Sequence, residues 1–266
     1  MTRNEFINYL NNSVLAGNIV TEHSEVSKRA TSRYNTYLVR NLPGSVNYGD
    51  LYFKVDTYEQ VHLTFYDGTY SEVDLEDKVD IIDEYAFAYM KGIPHKCISE
   101  TMWGCHIDTP LMTVKSDTVK KIGEGSFSMS FLKRAIFPSV KKIGSYAFFS
   151  CCLEEFESDS VKKIGEAAFA DNESLMSVSI PNAGTLYKDC FMNCISLNDI
   201  DVHNVHKLYL DVFKGCNNLT NINIPRLNEI KGDKSISYDR RFSSTFPIGC
   251  KVISNMKELE VVHNDT

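Results

Sequence analysis

Six phenylalanines punctuate the middle of this chain at nearly constant intervals. Each follows a small or β-branched residue: Ala86-Phe87, Ser126-Phe127, Ala147-Phe148, Ala168-Phe169, Cys190-Phe191 and Val212-Phe213. The spacings are 40, 21, 21, 22 and 22. A period of this length marks a solenoid, in which each repeat is one turn of a stacked coil. Because 40 is nearly two periods, the spacing predicts a degenerate copy without its Phe near "SETMWGCHIDTP", residues 99 to 110.

Other columns keep the same beat. Eight residues before each Phe stand Val79, Val119, Val140, Val161, Ala183 and Val205; five before it stand Ile82, Ile122, Ile143, Ile164, Leu186 and Leu208. After the Phe comes a Leu-x-x-Φ-x-Φ stretch, where Φ is apolar, clearest as Leu175, Val178, Ile180, then Leu197, Ile200, Val202, then Leu219, Ile222, Ile224. Pro138, Pro181 and Pro225 follow these stretches and, lacking an N–H, end a strand there. A seventh, decayed copy starts at Leu227 and Ile230 and lacks its Phe. One unit cannot bury its own Phe and aliphatics; its neighbours in a stack do so. At ~4.8 Å per strand, seven units predict a stack roughly 30 Å long.

The consensus that these columns spell, V-K-K-I-G-x-x-A-F-x-x-C-x-x-L-x-x-V-x-I-P, resembles the BspA-type, or Treponema-type, leucine-rich repeat over about residues 78 to 232. That resemblance implies a parallel solenoid with a protein-binding or adhesive role and no enzymatic activity in the repeats. It also implies that the Leu-x-x-Φ-x-Φ strands line the concave side. The Gly of "KIG" (123, 144, 165) is replaced by Asp83, Tyr187 and Tyr209, so a positive φ is not strictly required there.

The fold class expected is therefore a β-rich repeat solenoid, with an α+β cap over residues 1–77, repeats over 78–232 and a C-terminal cap over 233–266. Thr2 and Glu5 form a capping-box signature, and Phe6, Leu10 and Val14 share one helical face ahead of Gly17. A second helix is expected over about Ser24 to Tyr34, followed by strands in "NTYLVRNL", "DLYFKVD" and "QVHLTFY". Asp67-Gly68 predicts a hairpin into "TYSEVDL". The tail offers one or two strands to close the far end.

Several residues could carry chemistry or recognition. The outward positions of the Leu-x-x-Φ-x-Φ strands are Arg134 and Ile136, Glu155 and Glu157, Ser177 and Ser179, Asp199 and Asp201, and Asn221 and Asn223. That small, polar, mainly acidic face suits a basic or polar protein partner. Lys120, Lys121, Lys141, Lys142, Lys162 and Lys163 should stack as a ladder, either a polyanion track or a solvated face that Glu124, Glu154, Glu155 and Glu166 offset. His95, Cys97, Cys105 and His106 have residue types that suit zinc, without a recognised ligand spacing. Asp199, Asp201 and His203 alternate along one strand and could hold a divalent metal, although a solvated face explains them as well. Cys151, Cys194 and Cys216, with Ser130 and Asn172, fill a small buried slot three residues after the Phe.

Nothing resembles a nucleophile elbow, a P-loop or an H-E-x-x-H helix, so neither enzyme activity nor a cofactor is expected. A net charge of −7 disfavours a nucleic-acid partner for the molecule as a whole. No apolar run reaches the ~18 residues of a membrane span, and "MTRNEFINYLNNS" is not a secretory signal. With eight cysteines read as reduced thiols, these features lead to the expectation of a cytoplasmic binding module of cellular or viral origin, which engages or blocks a protein. A surface or virion adhesin, or a polyanion binder using the lysines, is the alternative.

Overall fold

The computed structural model describes residues 1–15, 51–66, 71–88, 111–232 and 244–254, together with strands Val26–Ala30, Asn35–Val39, Val46–Tyr48 and Glu258–Glu260. Helix α1 (Arg3–Leu15) opens the chain, followed by β1 (Val26–Ala30), β2 (Asn35–Val39), β3 (Val46–Tyr48), β4 (Leu51–Val55) and β5 (Val61–Tyr66). Two kinds of short strand then alternate. They are β6 (Glu72–Asp74), β7 (Ile81–Ile82), β8 (Thr113–Lys115), β9 (Lys121–Ile122), β10 (Arg134–Ile136), β11 (Lys142–Ile143) and β12 (Glu155–Glu157). The series continues with β13 (Lys163–Ile164), β14 (Ser177–Ser179), β15 (Thr185–Leu186), β16 (Asp199–Asp201), β17 (Lys207–Tyr209), β18 (Asn221–Ile224) and β19 (Glu229–Lys231). Strands β20 (Lys251–Ser254) and β21 (Glu258–Glu260) complete it.

The even strands β6 to β16 form a six-stranded parallel sheet, and the odd strands β7 to β19 form a second parallel sheet that β5, β4 and β3 extend to ten strands. The chain therefore winds as a coil with two sheet walls, and the Phe column fills the space between turns. Ring centroids of successive phenylalanines from Phe87 to Phe213 lie 4.8, 5.2, 5.2, 5.3 and 5.8 Å apart and nearly parallel. That separation matches the spacing of paired strands, so ring stacking and backbone pairing share one rise. Val119, Val140, Val161, Ile122, Ile143 and Ile164 are buried beside the rings, as the sequence columns require.

Four expectations are corrected. No coil stands between Phe87 and Phe127: β6 pairs directly with β8, β7 with β9, and the two rings stack. The long interval is an insertion spliced into one turn, which the stack tolerates because strand registry does not depend on connection length. The seventh coil does have its ring, since Phe246 stacks 5.7 Å from Phe213 after the insertion that follows β19. Part of the expected C-terminal cap is thus repeat, and β20 pairs in parallel with β18 before β21 turns back antiparallel. Residues 26–30 form a strand paired with β2 rather than a helix; a segment this short has marginal helicity, and a strand partner five residues on satisfies its backbone. Finally, β5 and β6 are not a hairpin. They lie in different sheets, and Asp67-Gly68 itself lies outside the described residues.

The recurring glycine of "KIG" answers to crowding rather than φ. A Cβ on Gly144 would sit 2.6 Å from backbone atoms of Gly123 and Glu124, and one on Gly165 would sit 2.3 Å from the Ser145 nitrogen. The left-handed residues come two positions later, at Tyr85, Gly125, Tyr146, Ala167, Asp189 and Asp211. Gly144→Ala is accordingly expected to destabilise the fold by about 1–3 kcal/mol, read as a lower midpoint in chemical denaturation.

At the N-terminal end, Thr2 and Glu5 make the reciprocal capping box: Glu5 Oε2 accepts from Thr2 N at 2.7 Å, and Thr2 Oγ1 from Glu5 N at 3.3 Å. Phe6 and Leu10 are buried, and the Phe6 ring meets Phe53 of β4 edge-on at 5.2 Å. Arg3 reaches Asp80, whose carboxylate also accepts from Val61 N at 2.9 Å. Alongside, His62 stands between two carboxylates, with Nδ1 2.6 Å from Asp83 and Nε2 3.3 Å from Asp56, while Lys54 lies 2.6 Å from Asp83.

Chiefly the Asp83 hydrogen bond, and then its charge and Asp56, raise the His62 pKa above its usual 6.5 against the opposing effects of burial and Lys54. Burial pushes Asp83 upward, but hydrogen bonds from His62 and Lys54 outweigh it and leave the carboxyl below its usual 3.8. A raised histidine contributes stability that is complete below 6.5 and lost as pH climbs through its folded value. The lowered Asp83 contributes above 3.8 and is lost as pH falls through its own folded value. The His62→Gln difference in unfolding free energy should therefore be largest in mildly acidic buffer and shrink toward pH 9; a pH-independent difference would refute the pairing.

Candidate interaction faces

The alternation of strand residues puts Val114, Ala135, Phe156, Val178 and Ile200 inward and their neighbours outward. Arg134, Ile136, Glu155, Glu157, Ser177, Ser179, Asp199 and Asp201 consequently line one open hollow of about 560 Å³ on the six-stranded sheet. Pro138, Ser158 and Asp159 also line it, with Ala135, Phe156 and Val178 at its floor. Register holds the rows straight, with Glu155 opposite Ser177 and Ser177 opposite Asp199, and Glu157 opposite Ser179 and Ser179 opposite Asp201. Asn221 and Asn223 are exposed on β18, which adjoins β16 but pairs within the separate three-stranded sheet, so the six-stranded sheet itself ends at Asp199 and Asp201.

Among the described residues no cation pairs with Glu155, Glu157, Asp199 or Asp201. The opposite end of the sheet differs, because Lys115 of β8 lies 3.2 Å from both Glu72 and Asp74 of β6. These two strands belong to the face, yet sequence reading passed them over. "EVD" and "TVK" carry the strand pattern, but the insertion between them hid the frame.

The lysines occupy the other wall. Lys121, Lys142 and Lys163 are cross-strand neighbours, and the row continues through Thr185 and Lys207. Lys120, Lys141 and Lys162 form a parallel row joined by backbone hydrogen bonds of 2.8 and 3.0 Å. All six side chains are exposed. Lys120 has Asp80 at 3.8 Å, whereas the other five have no ion-pair partner among the described residues. The expected offset by Glu154 and Glu155 fails: Glu154 pairs with Lys133 at 3.3 Å, and Glu155 faces out from the opposite sheet.

In four of its five occurrences the slot three residues after the Phe holds a donor aimed at the preceding coil. Cys151, Cys194 and Cys216 each direct Sγ to the carbonyl oxygen of the Phe one coil earlier, at 3.0, 3.1 and 3.0 Å, and Asn172 Nδ2 does the same at 2.7 Å. Burial pushes the Cys151 thiol up to about 12, with Ser130 opposing, and raises Cys194 as well. Cys151 and Cys194 are thus packing thiols without thiolate character.

Asp199 and Asp201 share a face, but β16 ends at Asp201 and His203 sits in the following turn, where its N–H donates to Asp201 Oδ1 at 3.2 Å. Among the described residues no three His, Cys, Asp or Glu side chains converge as metal ligands. His95, Cys97, Cys105 and His106 lie outside the described residues. No described helix is long and apolar enough to cross a membrane.

Short parallel strands wound around a stacked Phe column define a leucine-rich-repeat solenoid. The chain belongs to the BspA type leucine-rich repeat family, whose repeat region matches in six copies over residues 62–158, 105–220 and 141–256. No curated protein matches the chain. Among solved structures, a leucine rich cell surface protein from Faecalibacterium prausnitzii A2-165 is similar with a TM-score of 0.60 and 22% identity, over 80% of this chain and 55% of that one. The T. pallidum leucine rich repeat protein is 23% identical with a TM-score of 0.44, over 64% of this chain and 88% of that one. The chain thus spans little more than half the length of the Faecalibacterium protein, and the likeness is one of fold. A repeat solenoid of this kind is a protein-binding or adhesin-like module.

Proposed function

We propose that this protein is a non-enzymatic binding module whose six-stranded sheet engages a basic segment of another protein. The observation that carries this reading is the set of four uncompensated carboxylates, Glu155, Glu157, Asp199 and Asp201, around one hollow. None has a cation partner among the described residues, so an incoming Lys or Arg gains attraction without first displacing one of them. Serines 177 and 179 keep the centre low and supply hydroxyls, and Ile136, 38% exposed, adds apolar contact at one end. Arg134 at that end sets direction, since a cationic ligand is repelled there and drawn toward β16.

A fluorescent Lys- and Arg-rich dodecapeptide should bind the full chain in a salt-dependent manner. Glu155→Lys and Asp201→Lys should each weaken it about tenfold, or ~1.4 kcal/mol, while reversal of Lys142 on the other wall leaves it unchanged. Unaltered affinity in both acidic-face variants would sink the reading. The Faecalibacterium relative is a cell surface protein, which favours surface display as a second setting for the same face over a cytoplasmic one. Protease shaving of intact source cells tests this, because a cytoplasmic protein stays protected.

A further inference from the structure

The lysine wall has a second feature that its charge alone does not explain. Alongside Lys121, Lys142 and Lys163 runs a row with no side chains, Gly123, Gly144 and Gly165. In the next two coils that same row holds Tyr187 and Tyr209, whose rings stack 5.0 Å apart at 16°. Tyr187 is 42% exposed, and its row-mates toward the N-terminus are glycines, so Tyr209 covers one ring face and no side chain of the row lies against the other. Beyond the glycines, Glu124 and Glu166 are exposed. The result is a strip about 5 Å per coil in rise, with ammonium groups on one side, Glu124, Ser145 and Glu166 on the other and an aromatic platform at its end.

We propose that this strip binds an anionic oligosaccharide, its acid groups on Lys121, Lys142 and Lys163 and one sugar ring on the face of Tyr187 that Tyr209 does not cover. Three observations favour a sugar over a nucleic acid. The carboxylates across the strip accept hydrogen bonds from hydroxyls but repel a phosphate backbone. The partially positive C–H groups of a pyranose suit the negative face of a tyrosine ring. The molecule carries a net charge of −7, which opposes a polymer as densely charged as nucleic acid while leaving short-range contacts with a sparser one intact. This site lies on the opposite wall from the acidic hollow, and the two proposals stand or fall separately.

The test uses the full chain and a size-defined uronic-acid octasaccharide with one carboxylate per sugar, with binding measured by calorimetry at low and at physiological salt. Binding that weakens with salt is expected. Lys142→Glu with Lys163→Glu should reduce affinity at least tenfold, with unchanged thermal unfolding as the check on folding. Tyr187→Ala should cost about fivefold without altering the salt dependence, and Tyr187→Phe should restore it, since the ring and not the hydroxyl makes the contact. Glu155→Lys on the acidic face should leave binding as it is. The proposal is overturned if the octasaccharide does not bind. It is also overturned if a single-stranded oligonucleotide of equal charge binds as tightly, or if Tyr187→Ala binds like the parent chain, which would reduce the strip to a plain cation-exchange surface.

Discussion

Replacing Phe169 with Ala is expected to cost about 3–5 kcal/mol of folding stability. The ring is fully buried, with Phe148 5.2 Å away on one side, Phe191 5.3 Å away on the other and Phe156 tilted against it at 5.0 Å. Truncation removes all three contacts at once. The cavity cannot close easily, because the two sheet walls hold the neighbouring coils at a fixed rise. A solenoid also has few ways to bypass a damaged turn, since each coil is supported only by the coils on either side. Denaturant unfolding should therefore show a lower midpoint, and hydrogen exchange should rise on both sides of the fourth coil. Phe213→Ala removes a ring from between Phe191 and Phe246. It should cost less, because the β18–β20–β21 end of the stack has fewer constraints and can relax. An equal or smaller loss at Phe169 would mean that the ladder is not continuous.

Asn172 should show the next largest effect, and its variants separate donor chemistry from volume. Its amide nitrogen donates to the carbonyls of Phe148 at 2.7 Å and Phe169 at 2.8 Å, while its Oδ1 has no partner among the described residues. In Asn172→Val the Phe148 carbonyl is left buried and unpaired and a second bond is lost, together about 2–4 kcal/mol. Asn172→Cys should behave quite differently. A thiol occupies this slot at Cys151, Cys194 and Cys216 and reaches the same carbonyl one coil back. It also removes the unpaired Oδ1, so stability should stay within about 1 kcal/mol of the parent chain. Melting temperatures of the two variants, compared side by side, decide this. If Val and Cys are equivalent, the slot asks only for a small apolar group.

The contrast shows what kind of information a repeat carries. The 21- and 22-residue beat made the Phe ladder, both sheet walls and the outward rows legible before any coordinates, because identical columns have one physical reading: stack and bury. The same beat misled wherever the chain left it. Between Phe87 and Phe127 the extra residues look like a lost repeat, yet the strands on either side pair as though nothing intervened. Phe246 was invisible for the mirror-image reason, as its insertion carried it out of register. The left-handed column at Tyr85, Tyr146, Ala167, Asp189 and Asp211 gives no sign in residue type, because neighbouring coils impose a backbone conformation that several side chains then bear.

The candidate faces divide along the same line. Alternation in a strand is a local property with a period of two, so Glu155, Glu157, Asp199 and Asp201 could be placed outward from their spacing alone. Whether those carboxylates kept a cation was not a local matter. Glu154 found Lys133, Glu72 and Asp74 found Lys115, and His62 found Asp83, each across coils that only the stack brings together. By itself the sequence determined the rise, the buried columns and which side chains point outward. The tertiary structure decided which charges are neutralised, where the acidic face stops and which tyrosines flank the lysines. Burial follows from periodicity along one chain, whereas pairing depends on what the neighbouring turn happens to present.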